Sequence, residues 1–173
     1  MEYFTQQLIN GLTLGSIYGM VAIGYTMVYG IIGMINFAHG DIFMLGGFAA
    51  LIVFLVITSV FAGLPVVILL LVMIAAAMLT ASLWNWTIEK VAYRPLRGSF
   101  RLAPLISAIG MSIVLEEFVR VNQEGRPKPI QPIVTGGYEL MSRVTEQGQF
   151  IVRLTNMQIL IIVSTLILMA VFT

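Results

Sequence analysis

The sequence predicts an all-α protein, a polytopic transmembrane helical bundle with about five spanning or partly re-entrant helices. Three observations lead to this fold class. Hydrophobic residues make up 59% of the 173 positions and charged residues only 10%, whereas soluble domains carry about a quarter charged residues. The mean hydropathy is +0.98. Apolar runs of about 20 residues, the length that crosses a bilayer as a helix, recur along the chain.

The composition also excludes several kinds of function. A net charge of +1 gives no electrostatic basis for binding nucleic acid. The chain has no cysteine and one histidine, which excludes disulfides, thiolate sites and His-rich zinc sites. The GxxxxGK[ST] phosphate loop, the GxSxG elbow and the HExxH pair are all missing from the sequence. We therefore expect no metal, no cofactor and no catalytic residue, and any ATP must be bound by another chain.

The first three predicted spans are Leu8–Gly33, Ile42–Phe61 and Pro65–Trp86. The apolar run that begins at Ile42 is too long for one span, and Ala62-Gly63-Leu64-Pro65 divides it. Glycine followed closely by proline indicates a turn, and proline is favoured at the start of a helix. The N-terminus, which carries no Lys or Arg before Leu8, is then predicted to lie outside the cell.

Residues 87–101 are predicted to form a basic cytoplasmic loop. Its basic residues outnumber its single acid, Glu89, and cytoplasmic loops are enriched in Lys and Arg. These cations are Lys90, Arg94, Arg97 and Arg101. The aromatic residues Trp84, Trp86 and Tyr93 are interpreted as markers of the membrane interface, where amphipathic rings collect.

The last part of the chain contains two further apolar runs. Leu102–Val119 is predicted as a span, although the run of 14 residues before Glu116 also fits a half-helix or re-entrant piece. Residues 120–153 are predicted as a periplasmic loop, in which a short hairpin fits within Pro132–Phe150. Leu154–Thr173 is the fifth run. It reaches the last residue without a polar tail, which suggests an incomplete C-terminus.

Gly11, Gly15 and Gly19 recur every four residues in the first span. This spacing places them on one helix face, where small side chains let a neighbouring backbone approach closely. Two interpretations follow. The stripe either packs inside the subunit, which we favour because most small-residue faces serve packing, or it forms part of a passage wall.

Asn36, His39 and Asp41 are polar residues within a glycine-bracketed apolar stretch, residues 30–47. Ionisable groups at membrane depth usually face protein or a wet cavity, and glycine-interrupted segments can expose backbone to a transport path. If the segment is broken, His39 and Asp41 can line one cavity. The alternative, which we favour, is structural: Asp41 caps a helix or pairs internally. Asn36 likewise either caps or hydrogen-bonds across helices.

Two segments resemble a known family. GLTLGSIYGMVAIGYTMVYGIIGMINFAHGD (11–41), and within it INFAHGD (35–41), resembles the opening of the permease subunits of branched-chain amino acid ABC importers. AYRPLRGSFRLAPLISAIGMSIVLEE (92–117) resembles the second signature of the same permeases. On this resemblance residues 1–173 are a single transmembrane permease domain, incomplete at the C-terminus, in a bacterial inner membrane.

The resemblance implies a set of partners. These are a second homologous permease subunit, two cytoplasmic ATPase subunits and a periplasmic amino-acid-binding protein, in addition to membrane lipid. The expected cargo is leucine, isoleucine or valine, and the candidate pathway residues are Gly11, Gly15, Gly19, Asn36, His39 and Asp41. Two alternatives remain open at this stage: a permease of the same family for urea or short amides, and a truncated, non-transporting assembly protein.

Overall fold

The computed structural model describes residues 2–33, 36–61, 63–96, 98–100, 102–123, 125, 132–145 and 148–172. In order, the elements are α1 (Glu2–Ile32), α2 (His39–Val60), α3 (Val66–Ile88), a π-helical segment (Glu89–Tyr93), a 3-10 turn (Arg94–Leu96), α4 (Ala103–Gln123), β1 (Gly137–Thr145), β2 (Gly148–Thr155) and α5 (Asn156–Phe172). Two compact units are distinguished and are described separately. The first unit combines Met1–Thr26 with Ile130–Thr173, and the second unit is Met27–Pro129.

Among the described residues, three helices are long and apolar enough to cross a membrane: Tyr3–Ile31, His39–Val60 and Val66–Leu96. They confirm the all-α membrane architecture and the first three predicted spans. The second half of α4 carries two acids and Arg120, and α5 is an apolar helix of only 17 residues. Membrane crossing by these last two helices stays a prediction.

The turn between α2 and α3 lies where the sequence indicates it. Gly63 has φ +105°, a backbone conformation that glycine adopts at little cost, and Pro65 is the N-cap residue of α3. The helix then runs two residues beyond the predicted end at Trp86, because no proline or glycine interrupts it until Pro95.

Residues 87–101, expected as a loop, are helical as far as Leu96, so this prediction of their conformation is wrong. The α-helix changes to π geometry at Glu89, where the Arg94 amide donates to the Glu89 carbonyl five residues back. The loop was predicted from the charged residues. Charged residues end an apolar run, but they do not by themselves end a helix. Pro95, which lacks an amide hydrogen, is the first residue that disfavours further helix.

The second unit has a buried core formed by α2, α3, the π segment and α4. Its fully or nearly fully buried side chains include Ile88, Ala108 and Leu115. Gly46 on α2 lies against α3: a Cβ added there would be 3.5 Å from the Ala77 carbonyl oxygen. A glycine facing alanines lets two helix backbones approach closely, which is the usual way membrane helices pack without large side chains between them.

The first unit contains the early part of α1, the β1–β2 hairpin and α5. The strands are antiparallel, with a bulge between Glu139 and Met141, and they extend beyond the predicted hairpin region to Thr155. Gly137 is required where the strands meet, because a Cβ there would lie 2.7 Å from the Leu154 carbonyl oxygen. The fifth helix begins at Asn156, two residues after the predicted start of the last apolar run.

A capping box explains where α5 begins. The Gln158 amide donates to Thr155 Oγ1 at 3.3 Å, and the Thr155 amide donates to Gln158 Oε1 at 2.9 Å. These reciprocal bonds satisfy two backbone groups that the first turn of a helix otherwise leaves without partners. The same residues give the sequence signature of a capping box, Thr-x-x-Gln before an apolar run.

Candidate functional site

Asn36 is the centre of a buried polar contact in the second unit. Its side chain is 5% exposed, and its Oδ1 accepts from the Ala38 amide at 3.0 Å and from the Tyr93 hydroxyl at 2.5 Å. Ala38 is the N-cap residue of α2. Asn36 therefore takes one of the two roles that the sequence left open, the hydrogen bond across to the π segment. It does not cap α2, although its oxygen accepts from the N-cap amide of Ala38.

Asp41 does not cap α2, so the capping interpretation is wrong. The N-cap position belongs to Ala38, which places Asp41 in the first turn of the helix. There its Oδ2 accepts from the Ser112 hydroxyl of α4. A carboxylate in the first turn lies near the positive end of the helix dipole, and the serine adds a bond between α2 and α4.

The structure does not bring His39 and Asp41 to one face. The helix is regular from His39 onwards, and residues two apart on a regular helix point in different directions. The hypothesis that a broken segment directs both side chains into one cavity is therefore wrong for this part of the chain. Where the structure describes the chain before this point, α1 ends at Ile32 and α2 begins at His39.

The glycine stripe of α1 contacts its own chain at one end. A Cβ added at Gly19 would meet Thr165 Cγ2 of α5 at 3.8 Å, whereas at Gly11 and Gly15 it would meet nothing within 4 Å among the described residues. The expectation of packing inside the subunit is met at Gly19 only. The stripe lies in the first unit and the Asn36 and Asp41 contacts lie in the second.

Residues 7–173 match the family model described as branched-chain amino acid transport system / permease component. The chain belongs to this family.

Relatives support the same assignment. The chain is 46% identical, over 96% of its length, to the high-affinity branched-chain amino acid transport system permease protein BraD of Pseudomonas aeruginosa. It is 42% identical, over 99% of its length, to the permease protein LivH of the corresponding systems in Escherichia coli and Salmonella typhimurium. These alignments cover 53% and 54% of the relatives, so the chain spans about half their length. No solved structure gives a significant match.

Family membership confirms the resemblance. The family description is that of a permease component of a transport system, and the membrane-length helices agree with an inner-membrane location. The structure adds a connection that the sequence did not show. Asn36 and Asp41 lie in the first resembling segment, and their partners Tyr93 and Ser112 lie in the second. Two hydrogen bonds thus join the two segments on which the resemblance was based.

Tyr93, Ser107 and Ser112 are the residues of this region that sequence reasoning missed. Tyr93 was interpreted as an interfacial aromatic residue, but it is 4% exposed. The Ser107 hydroxyl donates to the Ala92 carbonyl at 3.1 Å, so α4 also contacts the π segment. A buried tyrosine usually needs a hydrogen-bond partner, and this was the signal available in the sequence. It could not be used, because Tyr93 is buried only if the helix continues through residues 87–96, which were predicted as a loop.

Proposed function

We propose that this chain is part of the transmembrane permease subunit of an ABC importer for branched-chain amino acids. The observation that carries the proposal is the likeness of almost the whole chain to BraD and LivH, which are named as high-affinity permeases for these substrates. The permease supplies part of the passage, and ATP is hydrolysed by other chains. The proposed partners are a second homologous permease subunit, two cytoplasmic ATPase subunits and a periplasmic amino-acid-binding protein.

A zwitterion with an aliphatic side chain requires a passage that is mostly apolar with a few placed polar groups. The second unit has this character around α2, where Asp41 and Ser112 are both half-buried among apolar side chains. We propose Asp41 as the polar part of the wall. His39 points in a different direction on α2, and the buried Asn36 supports the wall from behind by bonding the start of α2 and Tyr93. The open glycines of α1, Gly11 and Gly15, together with Gly19, are proposed as the small-residue part.

Uptake of labelled leucine tests the substrate. Cells that lack branched-chain amino acid transport are supplied with the native reading frame that contains this chain, together with its partner genes. We expect uptake at sub-micromolar leucine, inhibited by excess isoleucine and valine and unaffected by urea and acetamide. Inhibition of uptake by urea or acetamide, but not by valine, would instead support a permease of the same family for urea or short amides. Uptake absent with every supplied substrate would favour the non-transporting assembly protein.

A pair of substitutions separates the charge of Asp41 from its hydrogen bond. Asp41→Asn removes the charge but keeps an oxygen that accepts from Ser112, whereas Ser112→Ala removes the bond and keeps the charge. If the carboxylate serves the passage, Asp41→Asn lowers leucine uptake severalfold at unchanged membrane abundance, and Ser112→Ala has the smaller effect.

Two exposed positions serve as matched controls for this pair. Glu117→Gln removes an acid that pairs with Arg120 at 2.7 Å on the exposed face of α4, and Ser59→Ala removes a hydroxyl that bonds only its own helix, at the Val56 carbonyl. Both controls should transport like the unmodified protein. Normal uptake by Asp41→Asn would rule out a role for the charge, and a larger loss with Ser112→Ala would assign Asp41 to holding α2 against α4.

A further inference from the structure

The end of α3 presents an aromatic ring and two cations on its exposed side. Trp86, Lys90 and Arg94 are spaced four residues apart, and all three side chains are exposed. Lys90 Nζ lies 4.2 Å from the centre of the Trp86 ring, within the range of a cation–π interaction. These three residues are called the Trp86 patch below.

Helix length places the Trp86 patch at the edge of the hydrocarbon core. A helix rises 1.5 Å per residue, so about 20 residues cross a core about 30 Å thick. Counted from the start of α3 at Val66, this length ends at Asn85. Trp86 is then the first residue at the level of the lipid headgroups, and Lys90 and Arg94 lie one and two turns further out.

The opposite side of the same helical segment is fixed in the core. Ile88 is fully buried, Ala92 is 5% exposed and Tyr93 donates its hydroxyl to Asn36. The packing of this side therefore fixes the orientation of the helical segment, so that the Trp86 patch stays on the exposed side. Glu89, the acid next to it, is half-buried and has an interaction of its own, whereas the Arg94 guanidinium makes no hydrogen bond or ion pair with the residues that the structure describes.

From these observations we infer that the Trp86 patch binds the phosphate of an anionic phospholipid headgroup. Charge complementarity identifies the occupant: two cations lie at headgroup level, and an indole ring is the side chain that favours this layer. Basic residues next to a membrane span are attracted to anionic lipid, by about five-fold in affinity for each cation. The pair predicts enrichment of phosphatidylglycerol over phosphatidylcholine of up to about 25-fold at low salt.

The test uses Trp86 itself as the probe. The chain has two tryptophans, so Trp84→Phe leaves Trp86 as the single one and keeps an aromatic ring opposite Phe118, 5.7 Å away between ring centres. The protein is reconstituted in vesicles that contain brominated phosphatidylglycerol or brominated phosphatidylcholine at equal mole fraction. We expect stronger quenching by phosphatidylglycerol, and a smaller difference in high salt, where the Debye length falls from about 10 Å at 0.1 M to about 3 Å at 1 M.

Charge-matched variants decide the assignment. Lys90→Gln with Arg94→Gln should abolish the preference and leave quenching by phosphatidylcholine unchanged, which also shows that the protein is still inserted. Arg120→Gln with Arg153→Gln removes two exposed cations elsewhere, each of which pairs with an acid, and should keep the preference. Equal quenching by the two lipids, persistence of the preference in the first variant, or its loss in the second would each overturn the proposal.

If the Trp84→Phe protein does not insert into vesicles, a second measurement tests the proposal without this substitution. Mass spectrometry of lipids retained by the purified protein compares the unmodified chain with the Lys90→Gln, Arg94→Gln variant directly. We expect retained phosphatidylglycerol in the former and its loss in the latter. Equal retention by both would contradict the proposal.

Discussion

Polar side chains join separate elements of the chain in both compact units, but one of these contacts is buried and the other is exposed. In the second unit the acceptor is Asn36, which is 5% exposed, and its partner Tyr93 is 4% exposed. In the first unit, Gln6 of α1 accepts from the Arg153 amide at 2.9 Å and donates to the Arg153 carbonyl at 3.3 Å, and both residues have exposed contacts. The two contacts differ in what can replace each hydrogen bond when it is broken.

Burial determines how much a hydrogen bond contributes to stability. A buried group that loses its partner in apolar surroundings remains unsatisfied, at a cost of about 1–3 kcal/mol. An exposed group finds water or a headgroup instead, and the net loss is smaller. The buried contact of Asn36 in the second unit should therefore be sensitive to single substitutions, and the exposed contact of Gln6 in the first unit tolerant of them.

The largest effect is expected from Asn36→Ala. This change leaves the Ala38 amide and the Tyr93 hydroxyl without their acceptor, so we expect the free energy of unfolding to fall by about 2–5 kcal/mol. Thermal unfolding in detergent micelles measures the loss, and hydrogen exchange of the Ala38 amide shows whether the start of α2 opens. Asn122→Ala is the matched control, because that amide bonds only its own helix, at the Phe118 carbonyl.

Tyr93→Phe sharpens the same prediction. It removes one donor and leaves the Asn36 oxygen with the Ala38 amide, so the loss should be nearer to about 1 kcal/mol. An equal loss in Asn36→Ala and Tyr93→Phe would show that the bond across to the π segment, and not the start of α2, controls stability.

A close helix contact gives the second comparison, between neighbouring glycines of α2. Gly46 faces Ala77 and Ala81 of α3, whereas a Cβ at Gly47 would meet no described residue within 4 Å. Gly46→Leu should destabilise the second unit by about 1–3 kcal/mol, because the larger side chain forces the helices apart. Gly47→Leu should not, and Gly46→Ala should be tolerated, since the nearest atom is 3.5 Å away. Similar unfolding temperatures for the two leucine variants would contradict this packing.

The helices that cross the membrane were predictable because their signal is local. Hydrophobic length determines α1, α2 and α3, and glycine and proline determine the turn at Gly63 and Pro65. The same reasoning was wrong at residues 87–101. Polarity indicates where a segment leaves the hydrocarbon, but backbone hydrogen bonds continue the helix until Pro95 interrupts them.

The candidate site was only partly predictable because its contacts are not local. The sequence identified Asn36 and Asp41 as polar residues in an apolar stretch. Their partners Tyr93 and Ser112 lie 57 and 71 residues away, and no pattern within one segment pairs them. Asp41 was interpreted as an N-cap because aspartate is favoured at that position. In the structure the N-cap of α2 is Ala38, whose amide donates to the Asn36 side chain.

The smallest effect is expected from Gln6→Ala in the first unit. The Gln6 amide pairs with both backbone groups of Arg153 on the outer edge of β2, a position that an additional strand would otherwise occupy. Because this edge is exposed, water replaces the lost bonds, and we expect the free energy of unfolding to change by less than about 1 kcal/mol. The Arg153 amide should nevertheless exchange faster, because its acceptor is gone. Gln7→Ala is the control, since Gln7 bonds only Tyr3 of its own helix. If Gln6→Ala lowers the free energy of unfolding as much as Asn36→Ala does, then exposure does not explain the difference between the two contacts.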